Sequence, residues 1–221
     1  VFFEFSAQAG FAFEDGLLKS ASRHVSMGMG VRVLRGDATG FAFVEALDED
    51  ALVRACRIAG QIAAQGTSAS VAVKPGAGLP ARYHGDETTL LLPPDSKRAL
   101  LAEADRVARA EDPRIQRVEA SFAEEVREIL VASSLGTFAA DRQPLMRFGV
   151  RVIAEDGGQR QSGSSGGGGR LGMRYFDAHP VEQHARAAVR QALTMLDARE
   201  APAGELPVVL APGDSGILLH E

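Results

Sequence analysis

Apolar residues near the start of the chain recur at every second position. Val25, Met27, Met29, Val31 and Val33 alternate with smaller or polar residues, which predicts a half-buried strand. Gly36-Asp37 is a turn signal, and Thr39 to Val44 returns as a second strand with Phe41 and Phe43 on one face. The opening run Val1-Phe2-Phe3-Glu4-Phe5 also has strand character. The period then changes. Leu52, Ala55, Cys56, Ala59, Ile62 and Ala63 follow helical spacing, with Asp48 as N-cap, Leu47 and Leu52 as a hydrophobic staple, and Gly66 as the stop.

Residues 66–94, rich in Gly, Ser, Pro and Ala, read as a long connection. A second helix carries Leu100, Leu101, Ala104, Val107 and Ala108 and is stopped by Asp112-Pro113. Val118, Ala120 and Phe122 predict a strand, with Val126 to Ala132 as its return. Asp141, with Arg142 and Pro144, reads as a turn. Phe148, Val150 and Val152 form another strand, reversed at Asp156-Gly157-Gly158. A third helix buries Val181, Ala185, Ala188, Val189, Ala192, Leu193 and Leu196, with Pro180 in its first turn. Gly30-Val-Arg-Val33 and Gly149-Val-Arg-Val152 each precede a turn, a strand and a helix. The expected class is α+β, antiparallel strands with packed helices. It is arranged either as two similar β-β-α units or as one irregular sheet without duplication. The expected boundaries are an α+β domain over 1–200, with halves 1–66 and 114–200 joined by 67–113, and a new domain opening at 201–221.

Composition narrows the class. The 221 residues are 45% hydrophobic and 24% charged, the balance of a globular protein. The net charge of −5 argues against direct nucleic-acid binding. One cysteine, Cys56, rules out an internal disulfide framework, and its place on an apolar helix face favours a core role over ligation. No apolar run approaches the length of a membrane span, and Val1 to Phe13 lacks the basic start of a secretory signal. The expectation is a cytoplasmic protein. Both ends break off inside apolar patterns, so the chain is expected to be part of a longer polypeptide.

Two segments could carry chemistry. Ser162 to Gly172 contains Gly166, Gly167, Gly168 and Gly169, followed by Arg170. By composition it is a flexible connector. Alternatively its bare amides admit close approach by another chain or an anion, although no phosphate-loop Lys follows. Leu171 to Phe176 reads as extended. The second segment is His220-Glu221, the start of a metallopeptidase pattern in which an imidazole holds zinc and a carboxylate takes a proton from water. His24, His84, His179 and His184 are scattered and read as surface or capping residues.

Together these segments resemble the TldD/PmbA family, the so-called modulators of DNA gyrase. The carrying residues include Phe13-Glu-Asp-Gly-Leu-Leu-Lys19, Gly28-Met-Gly-Val-Arg-Val33, Arg114 to Phe122, Gly136 to Asp141, Ser162 to Gly172, Pro207-Val-Val-Leu210 and Gly216-Ile-Leu-Leu-His-Glu221. The resemblance implies a zinc metallopeptidase acting on unfolded or flexible peptides, paired with a PmbA/TldE-type paralogue or forming a homo-oligomer. His220 matches the first zinc ligand and Glu221 the catalytic carboxylate of the family's His-Glu-x-x-x-His motif. The second His and a later Cys ligand have no counterpart here, so this chain alone is expected to be inactive. Gly166 to Gly169, with Arg170, are the expected peptide-binding residues. The rival reading is a non-catalytic peptide-binding or dimerisation module.

Overall fold

The computed structural model describes residues 1–64, 89–213 and 216–220. Its centre is one six-stranded antiparallel sheet of β1 (Phe2–Glu14), β2 (Leu17–Arg35), β3 (Ala38–Val44), β4 (Ile115–Ala132), β5 (Phe138–Asp156) and β6 (Gln159–Gly169). The spatial order is β3-β2-β1-β4-β5-β6, so β1 and β4 form a central seam and β3 and β6 are the edges. The helices are α1 (Glu49–Ala63), α2 (Pro94–Glu111), the single turn α3 (Tyr175–Ala178), α4 (Val181–Leu196) and α5 (Gly216–His220). The fold is α+β.

Local chemistry explains the element ends. The Asp48 carboxylate accepts from the Ala51 amide at 2.7 Å and caps α1. Gly36 takes φ +54 in the β2–β3 turn, and Gly157 and Gly158 take +55 and +81 between β5 and β6. At the α2–β4 corner, the side chain and then the backbone amide of Arg114 hold the Asp112 carboxyl down to about 2.

Helices α1, α2 and α4 cover the same face of the sheet. Over the seam and β5, α2 and α4 bury Leu101, Val107, Ala188 and Val189 against Phe11, Phe122, Phe148 and Val150. Over β2 and β3, α1 buries Ala55 and Ala59 against Val31, with Cys56 packed beside them. Cys56 is thus half-buried at the margin of this cluster. Alternation along the strands gives the opposite face Phe2, Phe41, Phe43 and Leu145, all substantially exposed.

The duplication is real, and each unit has three strands before its helix rather than two. Val31 of β2 and Val150 of β5 occupy equivalent second strands. Gly40 pairs with Val33 on the first edge, and Gly163 pairs with Val152 on the second. The helix contacts repeat as well. A methyl group at Gly40 would lie 1.9 Å from the Ala59 carbonyl oxygen, and one at Gly163 would lie 2.1 Å from that of Ala188. The units diverge on the open face. Phe43 pairs with Gly30 in the first, whereas Gly166 pairs with Gly149 in the second.

Three expectations are corrected. Val118 to Phe122 and Val126 to Ala132 are not a hairpin but one strand, β4. Asp141 and Pro144 lie within β5, not in a turn. Residues 172–178 are not extended; they form a 3-10 turn, Gly172–Arg174, and then α3. Gly66, His84 and most of the 66–94 connection lie outside the described residues, while its last residues enter the 3-10 turn Thr89–Leu91 and α2.

Candidate functional site

The glycine-rich segment is not a connector. Gln159 to Gly169 pair with Asp156 back to Met146 in unbroken antiparallel register, making the segment the last strand of the sheet. Its composition is imposed from outside. A methyl group at Gly167 would sit 2.0 Å from the Tyr175 hydroxyl, and one at Gly168 would sit 2.1 Å from the Met146 carbonyl oxygen. Any side chain there would push β6 away from its neighbours.

An edge strand presents alternate amides and carbonyls outward. The Ser164 amide donates to the Gln191 side-chain oxygen at 2.7 Å, which identifies the outward row as Ser162, Ser164, Gly166 and Gly168. Gln191 of α4 covers one of these positions. Arg170 follows the strand and donates to the Pro144 carbonyl at 3.3 Å, which ties the end of β6 to β5.

Beneath the strand lies a hydrogen-bonded cluster. His184 of α4 is buried rather than on the surface; Nδ1 lies 3.0 Å from the Ser165 hydroxyl and Nε2 lies 3.1 Å from the Tyr175 hydroxyl. Tyr175 stacks on His179, with ring centroids 4.8 Å apart. Burial, and secondarily the charge of His179, lowers the pKa of His184. Burial raises that of the Tyr175 phenol. A neutral imidazole offers one donor and one acceptor, so one hydroxyl donates to the ring and the other accepts from it. Sequence reasoning missed Tyr175, His184, Ser165 and Gln191. The available signal was helical spacing, since His184 falls on the same stripe as Val181 and Ala188.

A second buried polar group joins α2 to the seam. Lys97 and Glu124 form an ion pair with side chains 3% and 1% exposed. The Lys97 ammonium also lies over the Phe11 ring, 5.3 Å from its centroid. The other oxygen of Glu124 has no hydrogen-bond partner among the described residues.

His220 is exposed at the end of α5, and Glu221 lies outside the described residues. Among the described residues no three His, Cys, Asp or Glu side chains gather closely enough to hold a metal ion. A catalytic zinc takes three protein ligands, so the described residues do not by themselves make a complete site.

Comparison with known proteins follows the same division of the chain. Residues 1–63 match domain 1 of the PmbA/TldA metallopeptidases, and residues 88–196 match their central domain. The chain belongs to the PmbA/TldD metallopeptidase family. It is 38% identical to a metalloprotease TldD homolog of Haemophilus influenzae, over 100% of this chain and 47% of that protein. It is 33% identical to a metalloprotease TldD homolog of Buchnera aphidicola subsp. Schizaphis graminum, over 95% of this chain and 45% of that protein. The chain therefore spans about half the length of the curated relatives it matches. The fold resembles a Thermotoga maritima crystal structure described as a candidate modulator of a DNA gyrase, with TM-score 0.71 and 18% identity over 92% of this chain and 46% of that one. It also resembles TldE from Thermococcus kodakarensis, with TM-score 0.58 and 15% identity over 87% and 44%. No helix among the described residues is long and apolar enough to cross a membrane.

Proposed function

We propose that this chain is the N-terminal α+β portion of a cytoplasmic zinc-dependent peptidase that cleaves unfolded or flexible peptides beside a PmbA/TldE-type partner. The whole-chain match to a metalloprotease at 38% identity carries the reading. Residues 201–221 open the metallopeptidase domain in this proposal. His220 is the first zinc ligand, and Glu221 takes a proton from the attacking water and returns it to the leaving amine. The remaining ligands come from elsewhere in the enzyme.

The edge of β6 supplies a docking place that needs no particular substrate sequence. An extended peptide adds to a sheet edge through its backbone, and the outward positions at Gly166 and Gly168 carry no side chain to obstruct it. Arg170 borders the same edge.

Two measurements test this reading. The full-length protein should cleave an unstructured peptide, lose the activity to a chelator and regain it with zinc, while residues 1–221 alone cleave nothing. Peptide binding without cleavage by the full-length protein would leave a non-catalytic module. For the docking edge, peptides N-methylated at alternate residues should weaken at least about tenfold in one register and little in the other, since each lost backbone bond costs about 1 kcal/mol. Equal weakening in both registers removes strand addition from the proposal.

A further inference from the structure

We infer that His184 is a positioning residue that fixes the edge strand β6 by tying Ser165 to Tyr175. Its bearing on peptide affinity rests on the docking reading above.

The need for such a tie follows from the strand itself. Among the described residues β6 has a ladder on one side only, and five of its last seven residues are Gly. Glycine gives up more backbone freedom on ordering than any other residue, and it contributes no side-chain packing in return. Between Gly163 and Gly169, the serines at 164 and 165 are the only side chains, and alternation directs them to opposite faces. Ser165 points to the helix-covered face and meets His184 at 3.0 Å. Ser164 is held separately, through its amide, by Gln191. The ring of His184 then reaches Tyr175, whose hydroxyl also lies directly below Gly167. One imidazole thus joins β6, α3 and α4, and Tyr175 supports the strand at two adjacent points.

An apolar side chain would fill this position, among Val181, Ala185, Ala188 and Phe148, with no polar group to satisfy. A buried imidazole is tolerated because both nitrogens find hydroxyls. The titratable groups facing the ring are Tyr175 and His179, with ring centroids at 5.9 and 6.4 Å. β5 and β6 present Phe148 and Ser165, which bear no charge. A ring with a depressed folded pKa takes up its proton first in the opened state. Opening of β6 therefore becomes easier as pH falls below about 6.5, the ordinary histidine value.

The test is amide hydrogen exchange over residues 161–169 of the full-length protein, with peptide KM and kcat measured in parallel. Ser165→Ala and His184→Phe should speed exchange there about fivefold, as expected for one lost hydrogen bond, and leave the seam strand around Phe122 unchanged. His184→Asn, whose amide can replace Nδ1 opposite Ser165, should restore part of the protection. The extra exchange of the wild type below pH 6.5, beyond the intrinsic rate, should vanish in His184→Phe. KM should rise with kcat held. If His184→Phe fails to fold, Ser165→Ala carries the test, since it removes only one hydroxyl. Unchanged exchange over 161–169 in Ser165→Ala overturns the inference. Faster exchange with an unchanged KM supports the positioning role and overturns peptide docking on β6.

Discussion

Glu221→Gln in the full-length protein is expected to lower kcat for peptide cleavage by about 10²- to 10⁴-fold, the usual contribution of a positioned general base. Gln keeps the size and hydrogen-bonding reach of Glu but cannot accept a proton from water. KM should stay close to the wild-type value, because docking in this proposal uses the backbone of β6. His220→Ala should behave differently and lose bound zinc along with activity, since an imidazole ligand contributes to holding the metal itself. The pair of variants separates the two roles. Cleavage by Glu221→Gln within tenfold of wild type would remove Glu221 from the chemistry, whatever becomes of the metal.

Lys97→Met is expected to be the most damaging substitution among these for stability. It leaves Glu124, with its side chain 1% exposed, as a charge without a counter-ion below α2. Removing one partner of a buried pair costs about 3–5 kcal/mol, far more than the pair contributes when intact. Phe11 would also lose the ammonium above its ring. The double variant Lys97→Met with Glu124→Leu should recover most of the loss, because two apolar side chains in place of a buried pair are often neutral or stabilising. Denaturant midpoints of the wild type, both single variants and the double variant close the cycle. A single-variant loss below about 1 kcal/mol would mean that water reaches Glu124 and relieves the stranded charge.

The same glutamate shows where sequence reading stops. The even positions Val118, Ala120, Phe122, Glu124 and Val126 are all buried, so the middle of β4 keeps a single alternation across them. Glu124-Glu125 nevertheless reads as a polar interruption, because nothing local announces that Lys97 will neutralise the first of them. Pro144 misleads in a related way. It sits inside β5, beyond the stretch that β6 pairs, and its carbonyl faces outward to Arg170, so its missing N–H breaks no ladder bond. The turns at Gly36 and Gly157 and the cap at Asp48 were legible because the residues that determine them are neighbours in sequence. The repeat was legible because Gly-Val-Arg-Val recurs at equivalent places in β2 and β5. The glycine-rich strand was not. Four glycines have little intrinsic preference for a sheet, and the groups that crowd Gly166, Gly167 and Gly168, the β5 backbone and the Tyr175 hydroxyl, lie elsewhere in the chain. His220 and Glu221 were legible only as a pattern.

The seam between the two units sets the order in which the molecule can assemble. Phe2 is paired with Val131 and Glu14 with Glu119, so every rung of the β1–β4 ladder joins residues more than a hundred positions apart. Each unit's other strand pairs are hairpins between consecutive segments, with far smaller loops to close. Loop closure must precede the reward of long-range pairing, which makes such ladders slow to form. During synthesis β1 cannot pair with β4 until the second unit emerges. In that interval the alternating Phe3, Phe5, Phe11 and Phe13 lie along an open strand edge, the kind of surface that aggregation exploits. Production of the first unit alone therefore exposes the hazard that the second unit removes by pairing.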